Sequence, residues 1–354
     1  MTRVERRTPS LRWRRTLAIA PAIAAVAALT IAAAPAAAKE KLTISSLNFL
    51  SSAPIFIAKE RGYFDAAGLD VEIKFFQAAG PVAIAVASGD TDLGVTGLTA
   101  AFYNLAGKGA MRIVAAQSRE ERGYPFNAVL VSPQASAAGV AAIKDLKGKS
   151  IGITTVGSTF HYIAGYLGQK HGFKLADVQL KPLQTIPNML AALKTGQVDA
   201  AFAPAQFVPG LEAAGVKRIA WCSEEMLWQV TALFASTKSI ETRRPAIAGF
   251  VKAVQRALGD YHAALLRRAP DGTRQFGAET EALLPLLQKY VLPAPTLDSL
   301  KIGANYMDPM GRLIVKDIHD QVAWYKAEGL VDATVDPRAI MDLSFVDGHF
   351  DVPK

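Results

Sequence analysis

The feature that most constrains this chain is a regular alternation of short apolar runs with helical runs, which begins at Lys41. Leu42–Leu47, Leu69–Phe75 and Leu93–Thr96 are predicted strands, and Pro54–Arg61 is a predicted helix with a proline near its start. Further predicted strands follow at Arg112–Gln117, Ala128–Ser132, Ser150–Thr154, Val178–Leu183, Ala200–Phe202, Arg218–Trp221 and Val230–Ser236. Alternating strands and helices fold into mainly parallel sheets covered by helices, so the sequence predicts an α/β protein.

Two of these apolar segments, Ala128–Ser132 and Val230–Ser236, bracket a second α/β series. A chain that leaves one α/β unit, builds another and returns must cross between them twice, and these two strands are the candidates for the hinge. We therefore expect one lobe from residues 39–128 and 236–354, and a second lobe from residues 129–235. The alternative is one continuous doubly wound domain, which a chain of this length also permits.

Residues 1–38 have the composition of a cleavable signal peptide. Six arginines precede an uncharged, alanine-rich run that ends at Pro35, and three alanines then lead up to Lys39. The alternative is a transmembrane anchor, because the run approaches spanning length. Prolines, a low leucine content and the small residues at the end favour cleavage, which predicts a periplasmic protein. The pair Arg14-Arg15 fits twin-arginine (Tat) export as well as ordinary Sec secretion, so the pathway stays open.

The positive charge of the chain belongs mainly to this N-terminal segment. The formal charge is +8, and residues 1–38 hold six arginines and one glutamate, so the remainder carries +3. A nucleic-acid-binding protein keeps its positive charge in the folded part, so we expect no nucleic-acid partner. The single Cys222 excludes an intramolecular disulfide and follows an apolar stretch, which indicates a buried, inert thiol. The five histidines show no metal-ligand spacing, so neither a metal nor a cofactor is expected.

Five blocks of the sequence together carry a resemblance to one family. They are Pro54–Phe64 with Gly68–Glu72, Ala87–Gly94, Asp145–Gly152, Val156–Tyr162 and Ala191–Ala201. In this order they resemble the nitrate/taurine/sulfonate-type periplasmic solute-binding proteins of ABC transporters, relatives of the thiamine-pyrimidine-precursor-binding proteins. The resemblance covers the chain from about Leu42 to its C-terminus. It implies a two-lobed periplasmic binding protein type II fold, two hinge strands, a ligand cleft between the lobes and a membrane permease as partner.

Candidate ligand-binding residues follow the predicted strands, because open α/β sheets bind ligands beyond the carboxyl ends of their strands, where helices begin. The strongest local candidate is Gly157–Thr159, where a hydroxyl caps a predicted helix whose free amides favour a sulfonate, carboxylate or phosphate. The alternative is an ordinary helix cap that binds nothing. The full set is Asn48, Phe49, Ser51, Gln77, Gly97, Thr99, Arg119, Gly157, Ser158, Thr159, His161, Pro204 and Gln206.

Several of these residues have alternative roles. His161 either donates to an anion or fills the cleft wall. Phe49 either stacks on a ligand or packs under its own loop. Arg119 opens a charged run, which is typical of a solvated loop. The alternative is that its guanidinium holds an anion through two hydrogen bonds. Pro204–Gln206 lacks the acidic residue that many relatives have beside the proline, which weakly favours a neutral or anionic ligand.

The sequence therefore predicts a monomeric binding protein, not an enzyme, that binds a small organic anion, preferably a sulfonate or carboxylate. One rival is a pyrimidine-precursor-binding protein or a pyrimidine-synthesising enzyme of the same fold, which works through cysteine and histidine, but this chain has no cysteine cluster. Another is a periplasmic ligand sensor, which sequence does not separate from a transporter component. Gly148–Gly152 fits the hydrolase G-x-S-x-G pattern, but Ser150 begins a predicted strand and cannot form a nucleophile elbow.

Overall fold

The computed structural model describes residues 1–2, 5 and 38–351, so nearly all of the predicted signal peptide lies outside the described residues. The chain from Ala38 onward is one unit. Its strands are β1 Glu40–Leu47, β2 Leu69–Phe76, β3 Leu93–Gly97, β4 Met111–Ala116, β5 Ser118–Glu120, β6 Asn127–Val131, β7 Ser150–Ile153, β8 Gln179–Pro182, β9 Ala200–Pro204, β10 Lys217–Trp221, β11 Trp228–Gln229, β12 Thr231–Ser236 and β13 Tyr306–Met307. Its helices are α1 Ala53–Glu60, α2 Tyr63–Ala66, α3 Ala79–Ser88, α4 Ala100–Gly107, α5 Pro133–Ala137, α6 Thr159–Lys170, α7 Ile186–Lys194, α8 Val208–Ala213, α9 Cys222–Glu225, α10 Thr237–Leu265, α11 Ala278–Gln288, α12 Leu297–Gly303 and α13 Val315–Ala327.

Ten of these strands form two five-stranded sheets, one in each lobe, which confirms the predicted α/β class. The first sheet has the order β2-β1-β3-β12-β4, and the second has the order β10-β6-β9-β7-β8. In each sheet one strand runs antiparallel to its neighbours, namely β12 in the first and β6 in the second. Each of these strands enters its sheet from the other lobe, at the edge where the parallel strands end, and therefore has to run the opposite way.

The two strands predicted to cross between the lobes each pair within one sheet. β6 pairs inside the second sheet and β12 inside the first, so residues 231–235 pair with strands of the first lobe. The crossings themselves are the segments just before these strands, residues 117–126 and 222–230. There β5 and β11 pair antiparallel, with Glu120 opposite Trp228, and β13 adds a third strand. The lobe boundaries at residues 129 and 235 stay a prediction.

Helix α10 is longer than the helix predicted over Ala246–Arg267. It begins at Thr237 and is kinked at Arg243, where φ is −137° and ψ is 34°. Arg243 divides α10 into two helices, and Pro245 lies in the first turn of the second, where its missing N–H costs no helical hydrogen bond. The second of these helices corresponds to the helix predicted over Ala246–Arg267.

Helix α13 contacts both lobes. Tyr103 of α4, in the first lobe, donates a hydrogen bond to Gln321 of α13 over 2.8 Å. Trp324 of α13 packs edge-on against Tyr162 of α6, in the second lobe, with ring centroids 5.0 Å apart. The buried apolar cluster of the second lobe thus continues through α13 into the first lobe.

Candidate functional site

A cavity lies where the two sheets turn the carboxyl ends of their parallel strands toward each other. It encloses about 580 Å³, including the part that opens to solvent. It is lined by Leu47, Phe49, Ser51, Ser52, Ala78, Ala79, Val95, Thr96, Gly97, Phe126, Asn127, Thr154, Thr159, Phe160, Ile186, Pro204, Val230 and Thr231. This is the place where open α/β sheets bind ligands.

The lining is mainly apolar, with hydroxyl groups and one side-chain amide. None of the lining residues is Lys, Arg, Asp, Glu or His. Phe49, Phe126 and Phe160 contribute aromatic rings to it. Burial of apolar ligand surface against such a wall supplies affinity, and a few polar groups fix the ligand's orientation.

The start of α6 has two backbone N–H groups, both on residues that line this cavity, without an acceptor among the described residues. Ser158 caps the helix, because its hydroxyl accepts a hydrogen bond from the His161 N–H over 3.3 Å. The amides of Thr159 and Phe160 occupy the first two helical positions, and neither donates to any described residue. Both residues line the cavity. Together with the positive end of the helix dipole, these amides can hold an anionic or other acceptor group.

The loop before α6 is held by the ring of His161. The Gly157 N–H donates to Nδ1 of this ring over 2.9 Å, and the Gly157 carbonyl accepts from the Ala100 N–H of the first lobe over 2.9 Å. Gly157 has φ +79°, which glycine adopts without strain. Burial lowers the pKa of His161, so its ring is neutral at pH 7 and Nδ1 can accept. His161 packs edge-on against Trp324, with ring centroids 5.7 Å apart, and is not among the lining residues of the cavity.

A second interlobe contact lies at the edge of the cavity. The Leu50 N–H of the first lobe donates to Oε1 of Gln206 in the second lobe over 2.8 Å. Gly97 and Thr159 also meet across the cleft, and a Cβ on Gly97 would lie only 2.7 Å from Cγ2 of Thr159. Glycine at position 97 therefore permits the close approach of the two lobes.

Two buried polar groups lie at or next to the cavity, Glu120 in the first crossing segment and Thr96 at the end of β3. Glu120 is fully buried and accepts hydrogen bonds from the Phe126 N–H (3.0 Å), the Asn127 N–H (2.8 Å) and Nδ2 of Asn127 (2.9 Å). Burial raises the pKa of Glu120 to about 7, against the opposing effect of these bonds. Thr96 is 3% exposed, and its hydroxyl has no hydrogen-bond partner among the described residues. An unpaired buried hydroxyl is costly, so a ligand group that pairs with it is favoured.

The structure brings part of the predicted site together. The predicted residues that line the cavity are Phe49, Ser51, Gly97, Thr159 and Pro204. Asn48 and Gln77 line a neighbouring groove, and Thr99 caps α4 by accepting from the Phe102 N–H over 3.1 Å. Gly157, Ser158 and His161 form the loop behind the cavity, and Gln206 bridges the lobes. The assignment of these residues as ligand contacts stays a prediction.

The charged run at Arg119 differs from the expected solvated loop. Arg119 and Glu120 are buried in β5. The Arg119 guanidinium pairs with Glu121 over 2.6 Å and stacks 4.2 Å from the ring centroid of Tyr306. Arg119 does not line the cavity, so its position gives no support to a bidentate contact with a ligand there.

Sequence reasoning missed lining residues at or just before the start of a strand, among them Phe126, Asn127 and Thr231. The predicted site residues all follow predicted strands in the sequence. Because β6 and β12 run antiparallel, their amino ends lie at the same edge as the carboxyl ends of their neighbours. The usable signal was the crossing pattern, since a strand entering from the other lobe must begin at the cleft.

Cys222 begins α9 and is buried, as predicted, and burial raises the pKa of its thiol well above the usual value. Within residues 38–351 and the few described ahead of them, no three potential metal ligands cluster together. No helix in this described part of the chain is long and apolar enough to cross a membrane.

Comparisons with known proteins place the chain among two-lobed binding folds. Residues 50–264 match the family model described as NMT1/THI5 like. The alkanesulfonate-binding protein SsuA from Xanthomonas axonopodis pv. citri, bound to MOPS, is similar with a TM-score of 0.70 at 17% identity, over 87% of this chain and 100% of that chain. The periplasmic aliphatic sulphonate-binding protein SsuA from Escherichia coli gives 0.66 at 19% identity, over 89% and 97%. The periplasmic nitrate-binding protein NrtA from Synechocystis PCC 6803 gives 0.66 at 14% identity, over 85% of each chain. No curated protein matches the sequence.

Proposed function

Because the chain belongs to the NMT1/THI5-like family and has the fold of periplasmic solute-binding proteins, we propose that it is the extracytoplasmic solute-binding component of an ABC importer. It binds a small organic anion, preferably a sulfonate or carboxylate, in the cavity between its lobes. It acts as a periplasmic monomer after removal of residues 1–38, and it delivers the ligand to a membrane permease.

The observation that carries the anion proposal is the start of α6. The free amides of Thr159 and Phe160 and the helix dipole converge on a cavity whose lining has no charged side chain. Neutral donors can compensate a singly charged sulfonate or carboxylate. A dianion is less suitable, because the cost of removing an ion from water rises steeply with its charge. SsuA and NrtA, which share this fold, are described as binding alkanesulfonates and nitrate, and both are anions.

The first experiment is a thermal-shift screen of residues 39–354 against sulfonates, carboxylates, nitrate and pyrimidines. A ligand present at 100 times its Kd stabilises the protein by about 2.7 kcal/mol, which corresponds to a shift of about 4 °C for a chain of this size. Hits confined to sulfonates or carboxylates are expected. Hits confined to pyrimidines would contradict the anion proposal and favour the pyrimidine-precursor alternative.

The second experiment is the double substitution Ser158→Ala with Thr159→Ala. It removes the cap that orders the start of α6 and one hydroxyl of the cavity wall, so we expect about tenfold weaker binding of the ligand found in the screen. Ser132→Ala is the matched control, because Ser132 caps α5 in the same lobe by accepting from the Ala135 N–H over 3.1 Å. Unchanged affinity in the double variant would refute a ligand contact at this helix start.

A catalytic role finds less support in the cavity. The enzyme alternative works through cysteine and histidine, yet neither residue type lines the cavity in the described part of the chain. Cys222 is buried in α9, and Nδ1 of His161 is engaged by Gly157. Capture of membrane partners by the ligand-loaded protein distinguishes transport from sensing. A transport component should capture a permease complex, whereas a sensor should capture a receptor.

A further inference from the structure

Asn127 is the one side-chain amide among the lining residues of the cavity, and it is oriented by a buried carboxylate. Its backbone N–H and its Nδ2 both donate to Oε1 of Glu120, over 2.8 Å and 2.9 Å. The other carboxylate oxygen accepts from the Phe126 N–H over 3.0 Å. Glu120 is 0% exposed, so solvent does not compete for these bonds.

This arrangement fixes which end of the amide faces Glu120. At pH 8, above its raised pKa of about 7, the Glu120 carboxylate is ionised and only accepts hydrogen bonds, so the amide nitrogen must point toward it. The Oδ1 of Asn127 then points the other way, and it accepts from none of the described residues. If the amide were flipped, Oδ1 would face the carboxylate oxygen, which is repulsive in a buried setting.

We propose that Asn127 presents a fixed hydrogen-bond acceptor to the ligand, and that the cavity therefore selects solutes carrying an uncharged O–H or N–H group. This inference rests on the proposed binding function and adds a second requirement to the acceptor group held at α6. A charged ammonium group is disfavoured, because no lining residue carries a carboxylate to pair with it. Hydroxy- or amino-substituted small acids meet both requirements. Glu120 is a positioning residue, which acts on the ligand only through Asn127.

The test compares probes that differ only in the donor. They are 4-hydroxybenzoate against 4-methoxybenzoate, and 4-hydroxybenzenesulfonate against 4-methoxybenzenesulfonate, measured by calorimetry on the mature chain. The wild type is expected to bind the hydroxy probe about tenfold or more tightly than the methoxy probe, since the methoxy probe leaves the Asn127 acceptor unpaired. Equal affinities would overturn the inference and leave the proposed function standing.

Substitutions show whether the preference depends on Glu120 and Asn127. In Glu120→Gln the new amide cannot accept from all three N–H groups, so the orientation of Asn127 is lost. The ratio of the affinities for the hydroxy and methoxy probes should then fall toward one. In Asn127→Leu the acceptor is gone, and the methoxy probe binds at least as well as the hydroxy probe. Glu72→Gln is the control, because Glu72 lies exposed on β2 and does not line the cavity, and it keeps the wild-type preference.

A ligand-free measurement tests the orientation of Asn127 on its own. In the isotope-labelled protein, a scalar coupling across the hydrogen bond is expected between Nδ2 of Asn127 and the carboxyl carbon of Glu120. Its absence would overturn the inference, whatever the probes do. Its presence with no binding of any probe would support the fixed acceptor while counting against the anion proposal, so failure of the inference and failure of the proposed function give different results.

Discussion

The buried carboxyl group of Glu120 makes the stability of the protein depend on pH in a defined direction. Burial raises the pKa of this group from an ordinary 4.5 to about 7. The folded protein therefore holds the proton more tightly than the unfolded chain does. The resulting contribution to stability is fully present below pH 4.5 and is lost as the pH rises through about 7.

The size of this contribution follows from the two pKa values. The difference between 4.5 and about 7 corresponds to about 3 kcal/mol in full, most of which is lost between pH 5 and pH 8. Other groups oppose it, because burial lowers the pKa of His161 and His262 and so adds stability as the pH rises. The contribution of Glu120 must therefore be isolated by comparison with a variant that cannot ionise.

The assay is urea unfolding of the wild type and of Glu120→Gln at pH 5, 6, 7 and 8, followed by fluorescence and circular dichroism together. At pH 5 the variant is expected to be less stable by about 1–3 kcal/mol, because its amide cannot satisfy all three N–H donors. At pH 8 the deficit should shrink by about 2–3 kcal/mol, because only the wild type then holds a buried charge. Glu72→Gln should parallel the wild type throughout. Parallel pH profiles for wild type and Glu120→Gln would refute a buried carboxyl group with a raised pKa.

Three further predictions follow from the same structure. Asp317→Asn on α13 should reduce the loss of unfolding free energy between pH 5 and pH 8, as Glu120→Gln does, since burial also raises the pKa of Asp317 to about 7. A pH profile parallel to that of the wild type in the same urea series would contradict this. Gly97→Ala should weaken ligand binding by about 5- to 150-fold in calorimetry, because its Cβ would collide with Thr159 across the cleft. Gly259→Ala is the control, since this position on α10 faces open space and the substitution should leave the affinity unchanged. Equal affinities of wild type and Gly97→Ala would refute lobe closure at this point. Cys222 should react with a thiol reagent only after unfolding, and rapid labelling of the native protein would show that the thiol is accessible.

The fold was largely predictable because its signals are local. Apolar runs such as Leu42–Leu47 and Leu69–Phe75 recur as β1 and β2 with bounds shifted by a few residues at most. Gly62 and Gly89 mark helix ends in the sequence and have positive φ in the structure. The part of α10 before its kink at Arg243 was not predicted, because this short helix has only Ile240 as an apolar side chain to mark it in the sequence.

The site was predictable only where it follows the rule for parallel strands. Gly97 and Pro204 end parallel strands, and both line the cavity. Asn127 begins an antiparallel strand, so its place at the cleft depends on how the chain crosses between lobes. Glu120 lies in a run of charges that predicts a solvated loop, and its burial depends on contacts with residues 126–127 that no local pattern encodes.

The place of β12 in the first sheet has a consequence for the order in which the chain can fold. β12 lies between β3 and β4, yet it follows the whole second lobe in the chain. Until Thr231–Ser236 has been synthesised, β4 has no neighbour in its sheet and β3 keeps an open edge, which is a site for wrong pairing. All five strands of the second sheet, in contrast, lie within residues 127–221. A growing chain can therefore complete its second lobe while the first still waits for its last strand, and a chain truncated before Thr231 leaves the first sheet unfinished.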